Sequence, residues 1–263
     1  MNVKLKMSMF REFQKEISYP DIYNNSYATF TYVALRSRCK SNATLHTTIR
    51  GIYYALSDSE PTKQDISSIK TSLEILKNEE LITFEKNGTT YAITPLDDLN
   101  IWEGEKYFNV PLEYIKSIMA CKSGVKLLHH YLLLCSTINV INKVGNHAIR
   151  YFADALNVRD NTISDQRKKF VELGIISFSE QRTRRLESGE FANIPKLYTM
   201  PNSSDLLGDA CEVQLEKEVK KIIKKKKKAK KVIYAEIDER REEKKIQKEI
   251  VEQEKADEDL FPF

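Results

Sequence analysis

The sequence predicts an α+β protein, mostly helical with small β wings, in which two short helix–turn–helix units each run into a hairpin. Three observations predict it. Phe152, Leu156, Val158, Ile163, Phe170 and Leu173 fall at helical spacing in two short blocks. Leu81 to Thr94 reads as two β-favouring runs around Asn87-Gly88, the strongest short hairpin signal, because both residues accept positive φ. Finally, Leu73-Glu-Ile-Leu-Lys-Asn-Glu-Glu-Leu-Ile-Thr-Phe84 is echoed by Lys169-Phe-Val-Glu-Leu-Gly-Ile-Ile-Ser-Phe178. Each passage ends a helix and enters a strand with two β-favouring residues, a small hydroxyl residue and Phe. The two lie about a hundred residues apart, too far for a solenoid and suited to tandem domains.

Taken in order, residues 1–24 read as an N-terminal arm and 25–96 as the first domain. Ala28 to Arg38 predicts its first helix, with Phe30, Val33 and Leu35 apolar, and Thr47 to Leu56 a second. Pro61-Thr62 opens a third, whose buried stripe is Ile66, Ile69, Leu73 and Leu76. Residues 97–122 read as a connector, in which Trp102, Tyr107, Phe108 and Tyr114 are expected to cement the two halves. The second domain, 123–200, begins with a buried helix within Val125 to Ile141. A two-helix unit follows, its second helix running from Asp160 to Leu173. Gly174 sits where that helix must stop, since glycine takes the left-handed conformation cheaply. A strand from Ile175 to Gln181, a Ser188-Gly189 turn and a returning strand from Lys196 to Met200 complete it. Residues 201–263 form a charged, partly helical tail.

Composition narrows the function classes. Of 263 residues, 41% are hydrophobic, enough for a core, and 30% are charged, yet the net charge is only +4. Residues 201–263 hold 16 basic and 16 acidic residues, so the whole excess belongs to residues 1–200. Any case for a polyanionic partner therefore rests on local clustering. Cys39, Cys121, Cys135 and Cys211 are scattered with no C-x-x-C pair, which points to a reducing cytoplasm and away from zinc or disulfides. The N-terminus lacks a signal-peptide apolar core, and the most apolar run falls short of the ~20 residues that span a bilayer. No membrane partner is expected. His147-Ala-Ile-Arg150 matches the His-x-x-Arg of tyrosine recombinases, but no Arg in a Thr-Gly-x-Arg context accompanies it, and Tyr198 falls in a strand. With no phosphate-binding loop, metal-ligand cluster or nucleophile constellation, the sequence predicts neither an enzyme nor a cofactor.

Helix, turn, helix and a hairpin with a basic tip resemble a winged helix-turn-helix, which places one helix in a DNA major groove and a cationic hairpin on the flanking backbone. In the second unit, Asn161, Thr162, Ser164, Gln166 and Lys168 lie along the recognition helix, where amides and hydroxyls suit base edges. Arg159, Arg167, Arg182, Arg184 and Arg185 suit phosphates. In the first unit the corresponding residues are Lys63, Gln64, Ser67 and Lys70, with Lys86 on the wing. Glu60, Asp65, Glu74, Glu79 and Glu80 dilute that field, and homodimerisation competes with DNA there. The lysine block from Lys217 to Lys231 reads either as a phosphate-tracking arm or as a solvating charged helix.

Tandem winged helices with a charged tail are similar to the replication initiators of bacterial plasmids and phages, and to phage replisome organisers. That resemblance implies binding of origin repeats in double-stranded DNA and recruitment of a host replication protein. The last seven residues, Asp257, Glu258, Asp259, Leu260, Phe261, Pro262 and Phe263, resemble the acidic, Pro-Phe-ending tip of bacterial single-stranded-DNA-binding proteins, with Phe261 inserted. Asp259-Leu260-Phe261 also resembles the end of a sliding-clamp-binding peptide. The partner implied is a helicase loader, a primase or the clamp. A winged-helix transcription regulator would share the DNA-binding units without needing such a tip, and an interaction adaptor would use the same folds on protein.

Overall fold

The computed structural model describes residues 1–6, 24–39, 43–96, 107–138, 143–180, 183–194, 196–228 and 242. The chain divides into two compact units, one of residues 1–180 and 195–210 and one of residues 181–194 and 211–263.

In the first unit, α1 (Ser26–Arg38) starts at Asn25, whose side-chain oxygen accepts from the amides of Tyr27 and Ala28. Its residues from Ala28 to Ser37 are all buried, because it is surrounded by β1 (Asn2–Lys6) and by three helices introduced below. Thr47 to Leu56 is not one helix as expected. Leu45–Thr48 forms β2, and only Ile49–Tyr53 forms α2. The β-branched pair Thr47-Thr48 pairs with a neighbouring strand, and the Thr48 hydroxyl then caps α2 by accepting from the amide of Gly51. Gly51 is required for close packing, since a Cβ there would stand 2.6 Å from Thr47 Oγ1.

Next, α3 (Lys63–Asn78) opens with a capping box: the Thr62 hydroxyl accepts from the Asp65 amide while the Asp65 carboxylate accepts from the Thr62 amide. Its inner face is Ile69, Ser72, Leu73 and Leu76. The hairpin follows as β3 (Ile82–Asn87) and β4 (Thr90–Pro95), in a sheet of order β2-β4-β3. Asn87 pairs with Thr90, so the two-residue loop is Gly88-Thr89, one position later than the sequence suggested. Gly88 carries the positive φ of 62° that this tight loop demands.

Asn2–Lys6, which the sequence placed in an arm, pair as β1 with β5 (Tyr107–Pro111), burying Val3 and Leu5. Trp102 lies outside the described residues. After α4 (Leu112–Met119) comes α5 (Gly124–Thr137), buried along almost its whole length as expected for the opening helix of the second half. The neighbours of α1 include α2, α3 and α5, so the first helices of the two halves pack on each other. Their core is one continuous cluster from Val3 to Tyr198.

The order helix, strand, helix, helix, hairpin then recurs. The strand is reduced to a bridge at Gly145, followed by α6 (Ile149–Ala155), α7 (Asp160–Glu172), β6 (Ser177–Phe178) and β9 (Tyr198–Thr199). Gly145 bridges Tyr198, and β9 pairs with β6, so the spatial order repeats that of the first sheet. Asn157, at φ 50°, makes the tight turn between α6 and α7. The strands expected at Ile175–Gln181 and Lys196–Met200 shrink to two residues each.

The second unit contains β7 (Thr183–Arg185) paired with β8 (Phe191–Asn193), closed by Gly189 at φ 81°. Residues 206–228 are helical, and 211–228 of them belong to this unit. Two ion pairs lay the hairpin along that helix: Arg184 with Glu212 at 2.8 Å, and Glu190 with Lys226 at 2.9 Å. Among the described residues, no helix is long and apolar enough to cross a membrane.

Candidate nucleic-acid interface

The outer face of α3 carries Lys63, Gln64, Ser67, Lys70, Thr71 and Glu74, all exposed. The helix is aimed by its start. Besides closing the capping box, the Asp65 carboxylate accepts a hydrogen bond from the Tyr27 hydroxyl of α1. Burial works against that carboxyl's charge, but the hydrogen bonds from Tyr27 and Thr62 prevail and hold its pKa below the ordinary value. Gln64 is turned along the helix and donates to Ser68 at 3.2 Å.

Beside this face lies a cleft of about 360 Å³ between α3, the start of α2 and the β3–β4 hairpin. Lys70 from α3, Lys86 from β3 and Arg50 from α2 line it, with Thr48, Thr89 and the backbone at Gly88. Among the described residues, no carboxylate lines it. Three cations and two hydroxyls around one groove are groups that pair with phosphate oxygens. Arg50 reaches Glu60 at 3.4 Å, but both side chains are more than half exposed, so that pair holds the guanidinium only weakly. Arg50 escaped the sequence reading because Thr47 to Leu56 looked like one helix. The signal available was the Thr47-Thr48 pair just before it, which can end a strand as readily as it continues a helix.

On α7, Arg159, Asn161, Thr162, Asp165 and Lys168 are exposed. The Ser164 hydroxyl donates to the Asp160 carbonyl at 3.1 Å, and Lys168 pairs with Asp165 at 3.1 Å. Two residues expected on the DNA face turn inward instead. Arg167 is buried, with its guanidinium 4.9 Å from the Phe152 ring centre, 5.3 Å from Phe178 and 5.7 Å from Tyr198. Its Nη2 donates to the His147 carbonyl at 3.4 Å, and Nε has no partner among the described residues. Position 167 falls on the same face as Ile163 and Phe170, and that geometry overrides its charge. Gln166 is half-buried, and its side-chain oxygen accepts from Nδ1 of His130 at 2.6 Å. Burial pushes the His130 pKa down to about 3, and Nε2 is buried without a partner, so the ring is neutral.

Of the expected wing cations, Arg182 lies outside the described residues. Arg184 is exposed and pairs with Glu212 at 2.8 Å, with about half of each side chain in solvent, so the pair holds it only weakly. Arg185 is exposed. Both lie in the second unit. The terminal residues Asp257 to Phe263 also lie outside the described residues. The structure therefore gathers Lys70, Lys86 and the overlooked Arg50, and withdraws Arg167 and Gln166.

Tyr198 is equally internal: it shares a hydrogen bond with the Thr137 hydroxyl at 2.6 Å, and burial raises its pKa. Among the described residues, no group of three or more His, Cys, Asp or Glu is placed to hold a metal. The chain matches no protein-family model, and no curated protein matches it.

Proposed function

We propose that this protein binds double-stranded DNA through two tandem winged helices and serves the initiation of plasmid or phage replication. The observation that carries the DNA reading is the cleft of Arg50, Lys70 and Lys86 between α3 and its hairpin, which no carboxylate lines among the described residues. A helix laid in the major groove puts its flank and hairpin on the bordering phosphates, and this cleft offers cations there. The outer residues of α3 and the exposed Asn161 and Thr162 of α7 supply hydrogen-bonding groups for base edges. The recurrence of one element order, with the same strand order in both sheets, supports two such units.

The replication reading draws its support from the sequence resemblance and the Asp257–Phe263 tip. Fluorescence anisotropy of the full chain with AT-rich duplex, repeated across salt, tests DNA binding. Tight binding that weakens steeply with salt is expected, and salt-independent or undetectable binding contradicts it. For replication, deleting residues 257–263 is expected to leave duplex binding intact and to stop replication of the cognate replicon in cells. Full replication by the truncated protein contradicts that role.

A further inference from the structure

The second unit contains a surface that the winged-helix reading does not use. From 211 to 228 the helix holds eight lysines against Glu212, Glu216 and Glu218, and no acid at all from 219 onward. At about 100° per residue, positions 211, 215, 219, 222 and 226 share one face. Cys211 and Leu215 are buried there, Val219 and Ile222 are half-buried, and Lys226 leaves that face to meet Glu190 of the hairpin. Lys217, Lys220, Lys224 and Lys228 fall on the opposite face and are exposed. They make no ion pair among the described residues. Lys221 alone on that side is engaged, by Glu218 at 2.7 Å.

We infer that the lysine stripe of this helix is a second nucleic-acid surface, which tracks the phosphodiester backbone without reading sequence. It rests on the DNA-binding reading above. One cation per turn over eleven residues covers about 16 Å. Duplex DNA presents a phosphate every ~3.4 Å of axis per strand, so four to five phosphates lie within reach of four long, flexible side chains. Three acidic residues of this region are drawn to other work: Glu212 pairs with Arg184, Glu190 with Lys226 and Glu218 with Lys221, which leaves Glu216. An anionic membrane is the weaker partner. A membrane-surface helix inserts an apolar face beneath its cations, whereas the apolar face here is buried or half-buried and 211–228 contains no aromatic residue.

The test is the full-length variant with Lys217, Lys220, Lys224 and Lys228 changed to Gln, which keeps good helix formers and the Glu190–Lys226 pair. Its affinity for duplexes of differing sequence, and the slope of log affinity against log salt, are compared with those of the unaltered chain. Circular dichroism confirms that both are folded. The expected result is an equal loss on every sequence and a slope smaller by about two to four, near 0.9 per phosphate contact removed. An unaltered chain that binds duplex, with a variant of the same slope, overturns this inference alone. An unaltered chain that binds no duplex overturns the DNA reading and this inference with it. Binding of phosphatidylserine vesicles that the variant loses while its DNA slope stays unchanged assigns the stripe to membrane and also overturns it.

Discussion

Arg167 and His130 show how far a side chain's role departs from its composition. Among the described residues Arg167 has no carboxylate partner; three aromatic rings and one carbonyl hold it. Replacing such a buried charge by an apolar side chain of similar length costs little, whereas reversing it leaves an unpaired buried anion. Arg167→Met is therefore expected to alter unfolding free energy by no more than about 1 kcal/mol, and Arg167→Glu to lower it by more than about 3 kcal/mol. Urea denaturation measures both, and equal losses in the two variants contradict the aromatic cage. His130 sets a pH dependence. Its folded pKa, about 3, lies below its unfolded value, so the unfolded chain binds the extra proton between the two. The stability that depends on a neutral ring is fully present above pH ~6.5 and is lost as pH falls toward 3, at up to about 1.4 kcal/mol per pH unit. His130→Asn is expected to flatten that part of the stability–pH curve, and an unchanged curve contradicts the assignment.

Among the elements, Gly145 shows most clearly what the second sheet depends on. A Cβ there would stand 2.1 Å from the Tyr198 ring, in the bridge that replaces a whole strand. Gly145→Ala is expected to cost about 1–3 kcal/mol, the usual range for overpacking, and to lower the thermal midpoint. A midpoint equal to that of the parent chain contradicts the close approach. Elements with purely local signals were legible in the sequence: α3 from its Thr62 cap and Ile69-Leu73-Leu76 stripe, α7 from Asp160 onward, and the hairpin from Asn87-Gly88. Elements made by distant pairing were not. The β1 strand exists because Val3 and Leu5 meet Val110 and Phe108 across a hundred residues, and β2 because Leu45–Thr48 find β4. The inward turn of Arg167 was hidden for the same reason, since Phe152, Phe178 and Tyr198 converge only in the folded chain.

Across the whole molecule, the structure moves the weight of the proposed DNA contact from the second half to the first. The sequence placed most of the phosphate-binding arginines at 159–185. Of these, Arg167 is enclosed, while Lys70 and Lys86 converge with Arg50 around a groove that no carboxylate lines among the described residues. The most direct test is the salt dependence of duplex binding by the triple variant Arg50→Ala, Lys70→Ala, Lys86→Ala, with Arg167→Met in parallel. If the cleft holds the backbone, the triple variant loses affinity equally on all sequences and its salt slope falls by about two to three, while Arg167→Met keeps the slope of the parent chain. A triple variant that remains folded and binds duplex with the parent's affinity and slope would contradict the account.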